Sequence, residues 1–226
     1  MIRVRPNLRG RVYDLATASP LIIFLVFVIA GFAQEIHIEI ARHPVSSALA
    51  LSLATKISGA IFAAAQVALF IVRKPPIAKL DAAWPRIIAP IGGNSPLLFL
   101  MLPAAAPRAQ ADHVELISSI ILIVGTVGSI FALVCLGRSF SVTPQARAIV
   151  VSGPYRLIRH PLFLSEQIIS VGIMFQYQQP WAFLVFAIGA AIQFPRMHFE
   201  ELILSQTFPA YHAYAARTAR LIPGLY

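Results

Sequence analysis

Long apolar runs with few charges are the feature that most restricts what this chain can become. Residues 16–38, 46–72, 85–106, 114–136, 161–177 and 180–197 each approach the roughly 20 residues that a helix needs to cross a hydrocarbon core. In lipid an unpaired backbone amide finds no partner, so every such run must be helical. The sequence therefore predicts an all-α, polytopic transmembrane bundle of about six spans. The composition agrees: 58% of residues are hydrophobic and 12% are charged, well outside the usual range for a soluble domain.

The spans are not equivalent. The fifth and sixth are short, and Gln176-Tyr177-Gln178-Gln179-Pro180 separates them with a polar turn, which predicts a tight helical hairpin. The third contains Pro90-Ile91-Gly92-Gly93-Asn94-Ser95-Pro96, and its two prolines and paired glycines predict a kink or break. Arg3, Arg5, Arg9 and Arg11 precede an apolar stretch from Pro20 to Ala33 that resembles a signal peptide, with Gly31-Phe32-Ala33 as a cleavage-like site; it is read here as an uncleaved first span. Gly125 and Gly128 fall inside the fourth span and are expected to pack against another helix.

The formal charge of +9 raises nucleic acid as a partner, but the basic residues are scattered among apolar segments rather than gathered on a soluble face. Membrane orientation explains them better. With the N-terminus inside, the cytoplasmic segments hold the four N-terminal arginines, Arg73, Lys74, Lys79, Arg86, Arg138, Arg147, Arg156, Arg159, Arg196, Arg217 and Arg220. The opposite face holds Arg42 and Arg108, and Lys56 falls within a span. This bias predicts six spans, both termini cytoplasmic, and membrane lipids as partners of the chain but no nucleic acid. Polar residues within spans, such as Lys56 and Asn94, are expected to face other helices or a cavity.

Chemistry is expected where the chain gives up hydrophobicity beside the membrane, in residues 137–160 and 198–226. Pro161 suits the first position of a helix, and Arg159 and His160 then lie at the mouth of that helix, a place prepared for a carboxylate or phosphate. Arg138, Arg147 and Arg156 taken singly read equally well as interfacial anchors. Glu200 and Glu201 stand at the base of the sixth span, where carboxylates are expensive unless paired; one can face the bundle while the other makes a surface salt bridge to Arg196 or His198. Leu202, Phe208, Tyr211 and Tyr214 read as the apolar side of a helix lying on the bilayer. Cys135 is the single cysteine, and His37, His43, His113, His198 and His212 show no metal-ligand spacing, so no metal site is expected.

The ordered set Leu136-Gly137-Arg138-Ser139-Phe140, Gly153-Pro154-Tyr155, Arg159-His160-Pro161, Glu200-Glu201, Tyr211, Tyr214, Arg217 and Ile222-Pro223 resembles the isoprenylcysteine carboxyl methyltransferase family and its phospholipid methyltransferase relatives. The resemblance covers residues 115–226. It implies a division into N-terminal transmembrane helices, 1–112, and a catalytic core, 113–226. It also implies S-adenosylmethionine as cofactor, with Gly153, Tyr155, Arg159, His160, Pro161, Leu162, Phe163, Glu200 and Glu201 as contacts, and Arg159, Arg138 and Glu201 in catalytic roles. The implied partner is a lipophilic or lipidated acceptor, carrying a carboxylate by the family's name. Many members have tyrosine where this chain has Phe163, so one hydroxyl contact is absent.

The cofactor combines an ammonium, a sulfonium and a carboxylate, and a pocket offering both acidic and basic side chains suits it. No glycine-rich strand-to-helix turn offers the dinucleotide-binding alternative. A carboxylate acceptor is already ionised and needs alignment, with Arg138 or Arg159 to hold it, whereas an amine acceptor needs a base such as His160. A phospholipid N-methyltransferase, an NADPH-dependent membrane reductase and a non-enzymatic scaffold that binds anionic lipid remain as the competing readings.

Overall fold

The computed structural model describes residues 2–3, 8–80, 82–93, 96, 98–99, 102, 112–177 and 179–224. Asn94, Arg108 and Arg5 lie outside them. The described chain is mostly helical, 78%. Helix α1 runs Leu8–Arg42, α2 Ser47–Val72, α3 Ala83–Gly93, α4 Asp112–Leu136, α5 Pro161–Tyr177, α6 Pro180–Thr207 and α7 Ala210–Ala215.

Local chemistry sets several of these boundaries. The Ser46 side chain accepts from the Leu49 amide at 3.1 Å and caps α2. Pro161 begins α5 as expected, and Pro180 stands in the first turn of α6. Helix α3 holds Pro90 within its eleven residues, which cover about 16 Å, and the break expected around Asn94 lies outside the described residues.

Four helices are long and apolar enough to cross a membrane: Asp14–Arg42, Ser47–Val72, His113–Ser139 and Pro180–Thr207. Together with their apolar outer faces, including Phe27, Val134 and Phe183, they mark an integral membrane protein. The remaining two expected spans correspond to the short α3 and to α5, whose 17 residues cover about 25 Å.

The principal neighbour of α5 is α4, rather than its hairpin partner α6. The reason is a seam of small residues. A Cβ placed on Gly125 would lie 2.8 Å from the Ile169 backbone nitrogen, one on Gly128 2.8 Å from Ser165 Oγ, and one on Gly172 2.7 Å from Leu122 Cγ. Only glycine lets these two helices approach so closely, in line with the packing role expected of Gly125 and Gly128.

Three features differ from expectation. First, the all-α bundle carries a small antiparallel sheet of two-residue strands, β1 (Ile2–Arg3), β2 (Ala78–Lys79) and β3 (Gln145–Ala146), paired in that order. Fully buried Ala78 and Ala146 pack with Ile203 near the end of α6. Strands this short leave no alternating pattern for a sequence to display. Second, α6 continues past residue 197, so Glu200 and Glu201 stand on the same helix as the apolar run. Third, α7 does not present Tyr211 and Tyr214 to a bilayer. Both rings are buried against the protein, where the Tyr214 hydroxyl donates to the Tyr155 carbonyl and the two rings meet edge to face.

The ends of the bundle are chemically distinct. At the end where α2 and α4 finish and α5 begins, buried Asp14 accepts from Arg73 Nε at 2.9 Å and from Arg147 Nη2 at 2.9 Å, and Arg147 also bonds the Lys74 carbonyl. This cluster ties α1 to α2 and to the loop after α4. Burial and repulsion from Arg147 pull the Arg73 guanidinium down to about 10, against the attraction of Asp14. At the opposite end, Lys56 meets Glu39 at 2.7 Å, so the intramembrane lysine is paired as expected of a charge at that depth.

Candidate active site

Two segments distant in sequence meet at the end of the bundle that holds Asp14. The loop 153–160 descends from a short helical turn, Gly153–Arg156, and delivers Arg159 and His160 to the start of α5. Gly153 has φ +60°, and an added Cβ would lie 2.5 Å from Cys135 Sγ, so both backbone and space require glycine there. The C-terminal strand of chain beyond α7 runs parallel to this loop. The Arg159 amide donates to the Ala219 carbonyl at 2.9 Å and the His160 amide to the Arg220 carbonyl at 3.1 Å.

Glu201 is the centre of the arrangement. Its Oε1 lies 3.0 Å from His160 Nε2 and 3.3 Å from Arg159 Nε, and its Oε2 accepts from Arg220 Nη2 at 2.7 Å. One carboxylate thus gathers three potential cations from two other segments. Arg159 and His160 meet Glu201 in this geometry, and Arg220, which the sequence marks only as a basic residue, joins them. The Arg159 Nε is buried without a well-formed hydrogen bond.

Beside this cluster lies a cavity of about 50 Å³, bounded by Tyr155, Arg159, His160, Glu200, Tyr211 and Tyr214 among others. Its phenols are held neutral. Burial and then the charge of Glu200 push Tyr155 well above its usual range, and burial with the charges of Glu201 and Glu200 does the same to Tyr211. Burial pushes Tyr214 up to about 12. The Tyr214 hydroxyl donates to the Tyr155 carbonyl at 2.7 Å, which locks α7 over the loop.

The other expected contacts are placed around this centre. Phe163 stacks on the His160 ring at 5.1 Å and also carries the Arg196 guanidinium, 3.9 Å from its centroid. Leu162 and Phe163 belong to the buried core, and Pro161 is buried at the helix start. Arg138 does not join the cluster. Its Nε donates to the Val72 carbonyl at 2.9 Å, closing the end of α2.

Arg196 also departs from expectation: it makes no surface bridge to Glu200. It is buried and bonds Glu166 Oε2 at 2.9 Å, with Gln193 donating to the same oxygen at 3.2 Å and to the Gly92 carbonyl at 3.1 Å. Glu166 was hidden because it is a single charge inside an apolar run, yet that isolation is itself the signal, since a lone intramembrane carboxylate needs a partner. Gly92 and Gly93 leave room for the Arg196 side chain, with added Cβ atoms 3.1 and 3.2 Å from it.

The donor set fits a zwitterionic methyl donor: Glu200 and Glu201 are acidic, Arg159 and Arg220 basic, and tyrosine rings supply apolar surface. The cavity as it stands is smaller than the several hundred Å³ of a usual small-molecule pocket, so accommodation requires the tyrosine-bearing α7 or the Glu201 pairs to give way. Among the described residues no group of three or more His, Cys, Asp or Glu is placed to hold a metal ion.

A helical membrane protein with a mixed-charge pocket at one end of its bundle is the class that fold and site define. Residues 118–206 match the isoprenylcysteine carboxyl methyltransferase (ICMT) family. It is similar to the nickel-cobalt-cadmium resistance protein NccN of Alcaligenes xylosoxydans xylosoxydans, 30% identical over 114 residues, 48% of this chain and 53% of the relative. It is also similar to the cobalt-zinc-cadmium resistance protein CzcN of Cupriavidus metallidurans, 31% identical over 102 residues, 44% of each. The chain spans about half the length of these curated relatives.

Proposed function

We propose that this protein is an integral membrane methyltransferase that uses S-adenosylmethionine to methylate a lipophilic acceptor, preferably a carboxylate, at the cytoplasmic face, with six membrane-crossing segments and a catalytic core in residues 113–226. The observation that carries the reading is the meeting of Arg159, His160 and Arg220 on Glu201 beside Glu200. S-adenosylmethionine, when bound, supplies an electrophilic methyl group on a sulfonium. Arg159 and Arg220 are suited to its carboxylate, and Glu200 or Glu201 to its ammonium. Neutral tyrosine rings at positions 155, 211 and 214 provide surface for the remainder and exclude water.

A second, largely apolar cavity of about 570 Å³ supports the acceptor assignment. It is lined by Leu21, Phe24, Phe70 and Val142, and it shares Thr143 and Gln145 with the polar cavity. A chain lying along Phe24 and Phe70 would bring its head group to the polar side. Carboxylate methylation needs alignment rather than a base, and the protonated phenols offer none near neutral pH. Arg159, beside the cavity, is better situated than Arg138 to hold an anionic head.

The test is calorimetry with S-adenosylhomocysteine and with NADPH on the purified protein, followed by radiolabelled methyl transfer into lipid and protein extracts. Because the relatives are named for metal resistance, the extracts include cells challenged with cobalt and cadmium. Binding of S-adenosylhomocysteine, weakened at least about tenfold by Glu201→Gln, is the expected result. NADPH binding in its place would turn the reading toward a reductase, and label fixed equally well by Glu201→Gln and His160→Ala would dismiss the site.

A further inference from the structure

A cavity of about 740 Å³, larger than either cavity assigned to the proposed reaction, shares no lining residue with the one beside Glu201. It is walled by the C-terminal half of α1, the N-terminal halves of α2 and α4, and the C-terminal half of α5, so it belongs to the other end of the bundle. Its floor is Glu166 and its rim includes Tyr177, eleven residues further along α5, which gives a depth of roughly 16 Å. Between this floor and the methyl-donor site stands the stack of Glu166, Arg196, Phe163 and His160.

The chemistry of the walls is two-sided. Phe24, Phe32, Phe62, Leu122 and Ile169 make the depth apolar. Near the rim, Glu39 is neutralised by Lys56, but Glu35 and Glu115 have no ion pair among the described residues and are exposed. A volume of this size lies within the range of small-molecule sites. An apolar shaft under two exposed carboxylates without an ion pair among the described residues is complementary to one kind of occupant, and repels anionic lipid by the same charges.

We propose that this cavity binds a membrane amphiphile with an alkyl chain and a cationic, amine or quaternary ammonium head, the chain descending toward Glu166 and the head held by Glu35 and Glu115. The site shares no lining residue with the Glu201 cavity and needs no methyl donor; Phe24 is the one wall residue it has in common with the cavity assigned to the acceptor.

The test uses the full chain in neutral maltoside micelles with photoreactive probes of equal chain length: an alkyltrimethylammonium, an alkyl sulfate and an alkyl alcohol. The cationic probe is expected to label peptides of α1, α2 and α4 around the cavity in preference to the other two. Glu35→Gln with Glu115→Gln, both at exposed positions that tolerate the change, is expected to weaken that labelling roughly threefold to tenfold, the effect of two exposed charge pairs. Equal labelling by the sulfate, labelling outside the cavity, or labelling indifferent to the double variant would overturn the proposal.

Discussion

At the scale of single residues, the site is a problem of charge compensation. Glu201 stands half-buried at the end of a long helix, and three basic side chains from two other segments converge on it. Nearby, the phenols of Tyr155, Tyr211 and Tyr214 are kept neutral by burial and by the two glutamates. A phenol whose folded-state value lies above that of the unfolded chain supports the fold below the unfolded value and loses that support as pH rises toward the folded one. For Tyr214 the window runs from 10.0 to about 12. Thermal unfolding followed across that window should show a falling midpoint, with phenolate absorbance from these rings appearing only as the protein unfolds. Tyr214→Phe should make the decline shallower; an unchanged slope would mean that its phenol ionises freely.

Among the elements, the closest partnership is that of α4 with α5, and it depends on absent side chains. A methyl group at Gly125 would strike both the backbone and the side chain of Ile169, whereas one at Gly31 would meet nothing within 4 Å. Gly125→Ala is therefore expected to destabilise the protein by about 1–3 kcal/mol through overpacking. Gly31→Ala should be neutral or slightly stabilising. Thermal unfolding in detergent distinguishes them, and equal midpoints for the two variants would contradict the seam. Because α5 carries His160 at its start and Glu166 within, displacement of this helix should also weaken binding at the Glu201 cluster.

Across the whole molecule, the two halves of the sequence are joined by polar contacts at one end. Asp14 from the first helix sits between Arg73 and Arg147, and strands from residues 2–3, 78–79 and 145–146 pair above it. Asp14→Asn would leave two buried guanidinium groups without their counter-charge and should cost about 3–5 kcal/mol. Replacing Arg147 with Met in the same background should recover part of that loss, measured by the same unfolding assay. A double variant no more stable than Asp14→Asn would show that repulsion between the arginines is not the cause.

The helical, membrane-spanning character of the chain was legible from its apolar runs, because lipid leaves the backbone no other way to satisfy its hydrogen bonds. The start of α5 at Pro161 and the glycine packing positions were legible for equally local reasons: proline and glycine act on their own backbone or on an immediate neighbour. The pairing of residues 159–160 with 201 was legible only through resemblance to a family, since nothing in spacing dictates which charges meet. Partner choice was decided by the tertiary structure. Arg196 turned inward to Glu166, Arg138 turned to a helix end, and Arg220 reached Glu201, because each buried charge must be compensated by whichever opposite group the packing of helices brings within about 3 Å.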